Sequence, residues 1–526
     1  MNFIGVSDIS PAGETGARAA LLAARLDGDQ FAPEQVFSMS HDWPGDFPGR
    51  TILAQTLTAR STKKYPAYLD DIVTLLPRYF NERGYLGTVM PDGEFDEQQL
   101  SGHSWLLRGL CEYCMYRGDK SETVLEYIKN IVNNLFIPAQ PHYADYPSLP
   151  SQRKADTGDM SGTVVNKVGA WHLSSDTCCA FIPIDGITAA FELTGDVRIL
   201  MLAETMIELF SKIDLFSIKA QTHASLTAAR GILRMFSFTK NRKYFDTAEK
   251  IFDLYINRGM TSAYQNYNWF GRPEWTEPCA VIDSFMVAMQ LYTVTSNTKY
   301  IDYAQRILYN GIYRGQRPNG GFGCDSCAVD GLIKNHCYEA FWCCTMRGGE
   351  GLARAAQYSY IVDGNRIIVP YLASSEADIR VEGECVHIVQ RTSYPYDGHA
   401  EFVISGIGAH SNLQLCIYRP GEGEFYTEEL SPIKKHVSVN FTIPLIKASP
   451  AGSCGEEDIG SVYLHGNLLL GTKFGANPDS TPDFANIKYL GNGRYSAGEV
   501  ILSPIGDLWK SEKTDAECDV RKIIFN

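Results

Sequence analysis

Glu277 and Cys279 stand two residues apart, and Cys343 and Cys344 are adjacent. Three sulfurs and one carboxylate make a complete tetrahedral donor set for zinc. Glu277-Pro278-Cys279 leads into the apolar run Ala280 to Met289, with Pro278 suited to a first helical turn. Cys343 and Cys344 lie before Gly348-Gly349 and the helical run Leu352 to Ala356. Helix N-termini favour thiolate and carboxylate over their neutral forms, so both pairs sit where ligands are electrostatically welcome. A second set competes: Cys324-x-x-Cys327 followed by His336-Cys337 has the pattern of a small structural zinc site. Cys178-Cys179 is a further adjacent pair with no partner in view, so adjacency alone is not specific.

The elements that must hold these residues repeat one phrase: helix, short polar turn, helix. The turns are Arg117-Gly118-Asp119-Lys120, Thr194-Gly195-Asp196, Thr239-Lys240-Asn241-Arg242 and Thr295-Ser296-Asn297-Thr298. Small polar residues there stop one helix and cap the next, the signature of antiparallel helical hairpins. An open helical solenoid would show more regular spacing, so the expectation is a ring of paired helices, an (α/α) barrel. Near Asp363-Gly364-Asn365 the texture changes to short β-type runs such as Ile367-Ile368-Val369 and His436 to Phe441, which read as a β-sandwich. The expected organisation is therefore mainly α then β. Residues 1–50 form an N-terminal segment, with a loop over His41 to Arg50. Residues 51–362 form the (α/α) barrel, and residues 363–526 a β-sandwich that includes the weakly patterned tail.

With 526 residues, 44% of them hydrophobic, the chain can bury a large core. A net charge of −14 argues against nucleic acid or an anionic membrane as partner. No apolar run of roughly 18 residues is present, so no membrane span is expected. The start, Met1 to Asp8, lacks the basic-then-apolar order of a signal peptide. Fourteen cysteines without an export signal point to a reducing, cytoplasmic setting.

The order Glu-x-Cys on an apolar helix, then Lys299-Tyr300 and Leu308-Tyr309-Asn310-Gly311, then Cys-Cys before a Gly/Ala helix, resembles one family. It is similar to the zinc- and cysteine-dependent β-L-arabinofuranosidases of glycoside hydrolase family 127. The likeness continues through Ile368 to Ala377 and Thr392 to Gly398, and upstream through Leu100 to His103 and Thr222-His223-Ala224. It implies a retaining exo-glycosidase acting on a carbohydrate or glycoside. Zinc would be held by Glu277, Cys279, Cys343 and Cys344, with Cys343 as the nucleophile. A homodimer is a candidate assembly.

Departures from the family pattern bear on the proton-transfer step. Thr345-Met346-Arg347 replaces Pro-Pro-Asn after the paired cysteines, and Gly321 to Cys327 replaces an aromatic stretch. Where the family carries its acid/base glutamate, Met260 to Phe270 has no carboxylate. Glu274 is the sole acid between Asp253 and Glu277, so it is the candidate acid/base, with a loop carboxylate as the alternative. His103, Asp185 and His223 are candidate substrate contacts; a satisfied helix histidine or a capping aspartate is the alternative for each. Two rival functions remain on sequence grounds. One is a zinc-stabilised sugar-binding or assembly protein without catalysis; the other is a sugar epimerase or lyase relying on His and Tyr.

Overall fold

The computed structural model describes residues 1–38, 42–118, 121–154, 161–408, 412–433, 435–452, 460–473, 482–507 and 520–525. His41 of the expected loop, and Asp119 and Lys120 of the first expected turn, lie outside them. Among the described residues six helices form a closed inner ring: Asp46–Thr62, Glu97–Tyr116, Pro183–Thr194, Thr222–Thr239, Pro278–Thr295 and Cys344–Gln357. Each packs on the next, and the last packs back on the first. Outer helices such as Ser121–Ile131, Val197–Phe210, Arg242–Arg258 and Lys299–Arg306 return the chain between them. This is an (α/α) barrel.

Sequence explains why each helix takes its layer. The inner helices are buried on every side, as in Pro278–Thr295, where positions 278 to 289 are all buried. Arg242–Arg258 instead buries one stripe, Tyr244, Phe245, Ala248, Ile251, Phe252 and Tyr255, as an outer helix should. The polar turns end helices with left-handed residues, Gly195, Lys240 and Ser296, and restart them with caps such as Asp196 and Asn241. Close approach of the inner helices relies on missing side chains. A Cβ on Gly49 would fall 2.2 Å from the Leu106 nitrogen, and one on Gly231 2.5 Å from the Ile184 carbonyl.

An ion network fills the barrel interior below the mouth. Arg230 bonds Asp283 at 2.6 Å and Glu350 at 2.9 Å, and approaches Asp185 at 3.4 Å. Arg108 pairs with Asp185 at 3.1 Å and Glu350 at 2.9 Å, and Arg347 pairs with Asp283 and Glu350. These buried charges join all six inner helices except Asp46–Thr62. That helix is tied in by Arg60, which bonds Glu112 at 2.5 Å.

Beyond Tyr358 the chain is β. One five-stranded sheet runs Asn2–Phe3, Ile361–Asp363, Arg366–Val369, Gln414–Arg419, Glu424–Glu429 in spatial order. The other runs His436–Asn440, His399–Ser405, Glu384–Thr392, Ser375–Val381, Ile9–Pro11. Alternating burial along Ser375–Val381 and His436–Asn440 shows one face turned to a core.

Three features differ from the expectation drawn from sequence, and the first is that Asp46 to Arg50 open an inner helix where a loop was expected. The N-terminal segment is built into both layers: Asn2–Phe3 and Ile9–Pro11 complete the two sheets, and Gly13–Leu26 is a helix against the barrel. The tail forms a sheet of its own, from Leu445–Ala448 through Val500–Pro504, with Arg521–Lys522 pairing back onto Leu332–Ile333. Short edge strands of two or three residues carry too little periodicity to be seen in sequence. No helix among the described residues is long and apolar enough to cross a membrane.

Candidate metal centre and active site

The chain enters the Pro278–Thr295 helix through Glu277 as N-cap, placing Cys279 in the first turn. It enters Cys344–Gln357 with Cys343 at the N-cap and Cys344 as the first helical residue. The two mouths face each other. The Cys279 Sγ lies 3.2 Å from the Cys343 Sγ and 3.9 Å from the Cys344 Sγ, and the Cys343 Sγ lies 4.0 Å from Glu277 Oε1. The three sulfurs all lie within 4.8 Å of one another, as do donor atoms of His223, Glu277 and Cys279. Zinc bonds of about 2.3 Å to sulfur space tetrahedral sulfurs roughly 3.8 Å apart. The 3.9 Å separation matches that spacing and the 3.2 Å one is shorter, and the soft thiol set with a carboxylate beside it suits that ion.

Neighbouring loops hold the two mouths in register. The Glu277 amide donates to Asn266 Oδ1 at 2.7 Å, and the Thr276 amide to the Asp325 carbonyl at 2.8 Å. The Phe322 amide donates to Thr345 Oγ1 at 2.9 Å, fixing the first turn after the paired cysteines. Thr345 thus has a structural task at a position where the resemblance leads one to expect proline.

Electrostatics single out Cys343. Hydrogen bonds from the Cys279 and Cys344 thiols, with Arg50 and His223 nearby, hold it well below the usual thiol range despite burial. Burial pushes Cys279 well up. Burial, with the Glu97 carboxylate adding to it, raises the Cys178 and Cys179 thiols, Cys178 to about 12, so that pair is inert packing. The described cysteines are all free thiols. Below the sulfurs, Arg50 donates to Cys279 Sγ at 3.4 Å and is held by Asp46 at 2.7 Å. His223 Nδ1 stands 3.2 Å from Glu277 Oε1, its Nε2 stands 3.4 Å from Asp283 Oδ2, and its ring stacks on Trp105 at 5.6 Å.

Of the residues singled out in sequence, the fold gathers Glu277, Cys279, Cys343, Cys344 and His223. Others are engaged elsewhere. Both ring nitrogens of His103 are taken by backbone, Nε2 accepting from the Leu86 amide at 2.9 Å and Nδ1 meeting the Gln99 carbonyl at 2.8 Å. Burial pushes its pKa down to about 4, so the ring is a neutral tie between helix and loop. Asp185 belongs to the ion network; burial works to raise it, but Arg230, Arg234 and Arg108 hold it well below the usual carboxylate range. Glu274 pairs with Arg272 at 2.9 Å, and Arg272 itself lies over the Trp269 ring. In the competing cysteine set, the Cys327 thiol turns to the Asn266 carbonyl at 3.8 Å and His336 stacks on Trp275 at 5.3 Å. Cys324 sits in hydrogen-bond contact with Cys337 and Cys344, behind the main cluster.

Sequence reasoning passed over three polar residues around the sulfurs. Asp46 and Arg50 form an i,i+4 pair at the start of an inner helix, a spacing that can be read in sequence but is common on surfaces. Burial pushes Asp46 up to about 6 against the pull of Arg50. Asp176 follows the Trp171–Ser174 strand and is 4% exposed. Burial and then the Glu277 carboxylate push it up to about 7. Nothing in its sequence neighbourhood marks it.

The structure is thus a helical barrel whose mouth gathers buried thiols, a carboxylate and a histidine, with β-sheets following it in the chain. The family described as β-L-arabinofuranosidase, GH127 catalytic domain, matches residues 43–357, and the chain belongs to it. It is accordingly a glycoside hydrolase. Among solved structures the chain is similar to a GH127 β-arabinofuranosidase, with a TM-score of 0.69 at 14% identity, covering 100% of this chain and 98% of the other. It is also similar to a GH127 β-L-arabinofuranosidase from Geobacillus stearothermophilus T6, with a TM-score of 0.63 at 15% identity, covering 91% and 88%. Identities this low show a shared fold and nothing finer. No curated protein matches the sequence.

Proposed function

We propose that the protein is a retaining exo-glycosidase of β-L-arabinofuranosidase type that uses Cys343 as its nucleophile. The observation that carries this is the placement of Cys343: it caps a helix mouth with its Sγ 3.2 Å from the Cys279 Sγ and 4.0 Å from Glu277 Oε1. Glu277, Cys279, Cys343 and Cys344 would hold zinc, whose soft thiolate-rich donor set suits it. Bound there, zinc would keep the thiols deprotonated and ease departure of sulfur from carbon.

Cys343 attacks the anomeric carbon, a carbon–sulfur bond forms, and the glycosidic carbon–oxygen bond breaks as the leaving oxygen takes a proton. Water then attacks from the face the leaving group had occupied, opposite the sulfur; it gives up a proton as the carbon–sulfur bond breaks and sulfur leaves as thiolate, and this second inversion returns the original anomeric configuration. Arg50, braced by Asp46, stabilises negative charge on the sulfur pair. His223 is placed by Asp283 to orient Glu277 and meet a sugar hydroxyl. A carbohydrate or glycoside is the partner, and abundant free thiols suit a reducing, cytoplasmic setting.

The test is hydrolysis of a panel of p-nitrophenyl furanosides and pyranosides by the zinc-loaded protein and by Cys343→Ala. The reading expects a β-L-arabinofuranoside among the substrates, retained configuration in the first product, and loss of turnover in the variant. Turnover by Cys343→Ala equal to the parent would overturn it.

A further inference from the structure

The proposed reaction needs a carboxyl that gives and takes a proton, and the carboxyls near the cluster are mostly committed elsewhere. Asp46 is locked to Arg50 at 2.7 Å, and Glu274 to Arg272 at 2.9 Å. Asp283 is held by Arg230, Arg347 and the Thr227 hydroxyl, which donates at 2.7 Å. Glu277 belongs to the donor set. Met260 to Phe270 offers no carboxylate, and its polar side chains have structural tasks. Gln265 Nε2 donates to Asp325 Oδ2 at 2.8 Å, and Asn266 Oδ1 accepts from Glu277.

Asp176 is different. Among the described residues it has no ion-pair partner, and it is buried. Its two oxygens accept from the Ser161 hydroxyl, each at 2.8 Å. The groups whose charge it feels are Glu277, His223 and Cys343. Its loop is stitched to the mouth on both sides. The Ser175 carbonyl accepts from Trp269 Nε1 at 3.0 Å, and the Thr177 carbonyl from the Gln221 amide at 3.0 Å. Gln221 is the N-cap of the helix that carries His223, and its side chain reaches to 3.5 Å from Glu277 Oε2. Three elements therefore converge to hold one buried carboxyl, in no ion pair among the described residues, against the start of the helix that carries His223.

We propose that Asp176 is the proton-transfer carboxyl of this enzyme, taking the place of the glutamate that residues 260–270 lack. The assignment rests on the glycosidase reading above. In the first step the Asp176 carboxylic acid gives its proton to the glycosidic oxygen as the Cys343 sulfur bonds to carbon. In the second, the Asp176 carboxylate takes a proton from water as the new carbon–oxygen bond forms and sulfur leaves as thiolate.

The experiment compares zinc-loaded Asp176→Asn and Cys343→Ala on the 2,4-dinitrophenyl and methyl glycosides of the sugar the panel selects. Asp176→Asn should lose about 10²- to 10⁴-fold in kcat/KM on the methyl glycoside, which needs protonation, and little on the dinitrophenyl one. It should also accumulate a glycosyl adduct on Cys343, and added azide should speed turnover and give a glycosyl azide of retained configuration. Equal losses on both leaving groups without azide rescue would overturn the assignment in favour of a structural role, as would an unimpaired rate on the methyl glycoside. Turnover surviving in Cys343→Ala would overturn the underlying reading instead, so the two failures are told apart.

Discussion

Replacing Arg230 with methionine would remove the cation that joins three inner helices to its own. Its guanidinium lies 2.6 Å from Asp283, 2.9 Å from Glu350 and 3.4 Å from Asp185, fully buried. Methionine fills much of the volume, so the cost is electrostatic. The carboxylates keep Arg108, Arg234 and Arg347, but lose two charge-assisted hydrogen bonds and one positive charge. Breaking a buried pair on one side costs about 3–5 kcal/mol, which for a chain this size lowers the melting temperature by roughly 3–5 °C. The pH dependence has a definite sign. Asp283 and Asp185 are held below their ordinary values, so their stabilising share is present above about pH 4 and fades as the pH falls through those lowered values. Losing Arg230 raises them, so the deficit should be largest near neutrality and narrow toward pH 4. Differential scanning calorimetry at several pH values reads this out. Adding Glu350→Gln to Arg230→Met should recover part of the loss, because the surplus negative charge goes with it. A melting temperature within about 1 °C of the parent at pH 7, or a deficit that grows on acidification, would refute the reasoning.

Removing the metal with a chelator should abolish hydrolysis, and zinc should restore it; activity that survives complete removal would contradict the site. Cys327→Ser and His336→Ala should leave zinc stoichiometry unchanged, because both side chains turn away from the sulfur cluster. A drop in bound zinc by elemental analysis would reopen the competing set. Arg50→Gln should raise the pKa of Cys343, so the metal-free variant should be alkylated by iodoacetamide more slowly at pH 7 and recover its rate at higher pH. Gly231→Ala should destabilise the barrel by about 1–3 kcal/mol, since the new methyl would meet the Ile184 backbone of the preceding inner helix at 2.5 Å. An unchanged denaturation midpoint would show that this seam can open.

Local signals carried most of what was legible in the chain. The turns at Thr194-Gly195-Asp196 and Thr295 to Thr298 end and cap helices by their own chemistry, so hairpins show in sequence. Glu277 becomes an N-cap because Pro278 sets where its helix begins. What escaped depends on contacts between distant segments. Asp176 has no local pattern; it matters because its loop is tied to Trp269 and Gln221. Asp185 lies in an apolar helix where a sugar contact or a cap was the expectation, yet three arginines from two other helices claim it. The tail sheet cannot be told from the sandwich in sequence because short strands look alike whichever sheet they join.

The most direct test of the central claim is rapid-quench mass spectrometry of the zinc-loaded protein during turnover of the dinitrophenyl glycoside. The account predicts one glycosyl residue attached to the peptide that carries Cys343, formed and consumed at rates consistent with turnover. Turnover with no such adduct, or with the sugar attached at another residue, would contradict it.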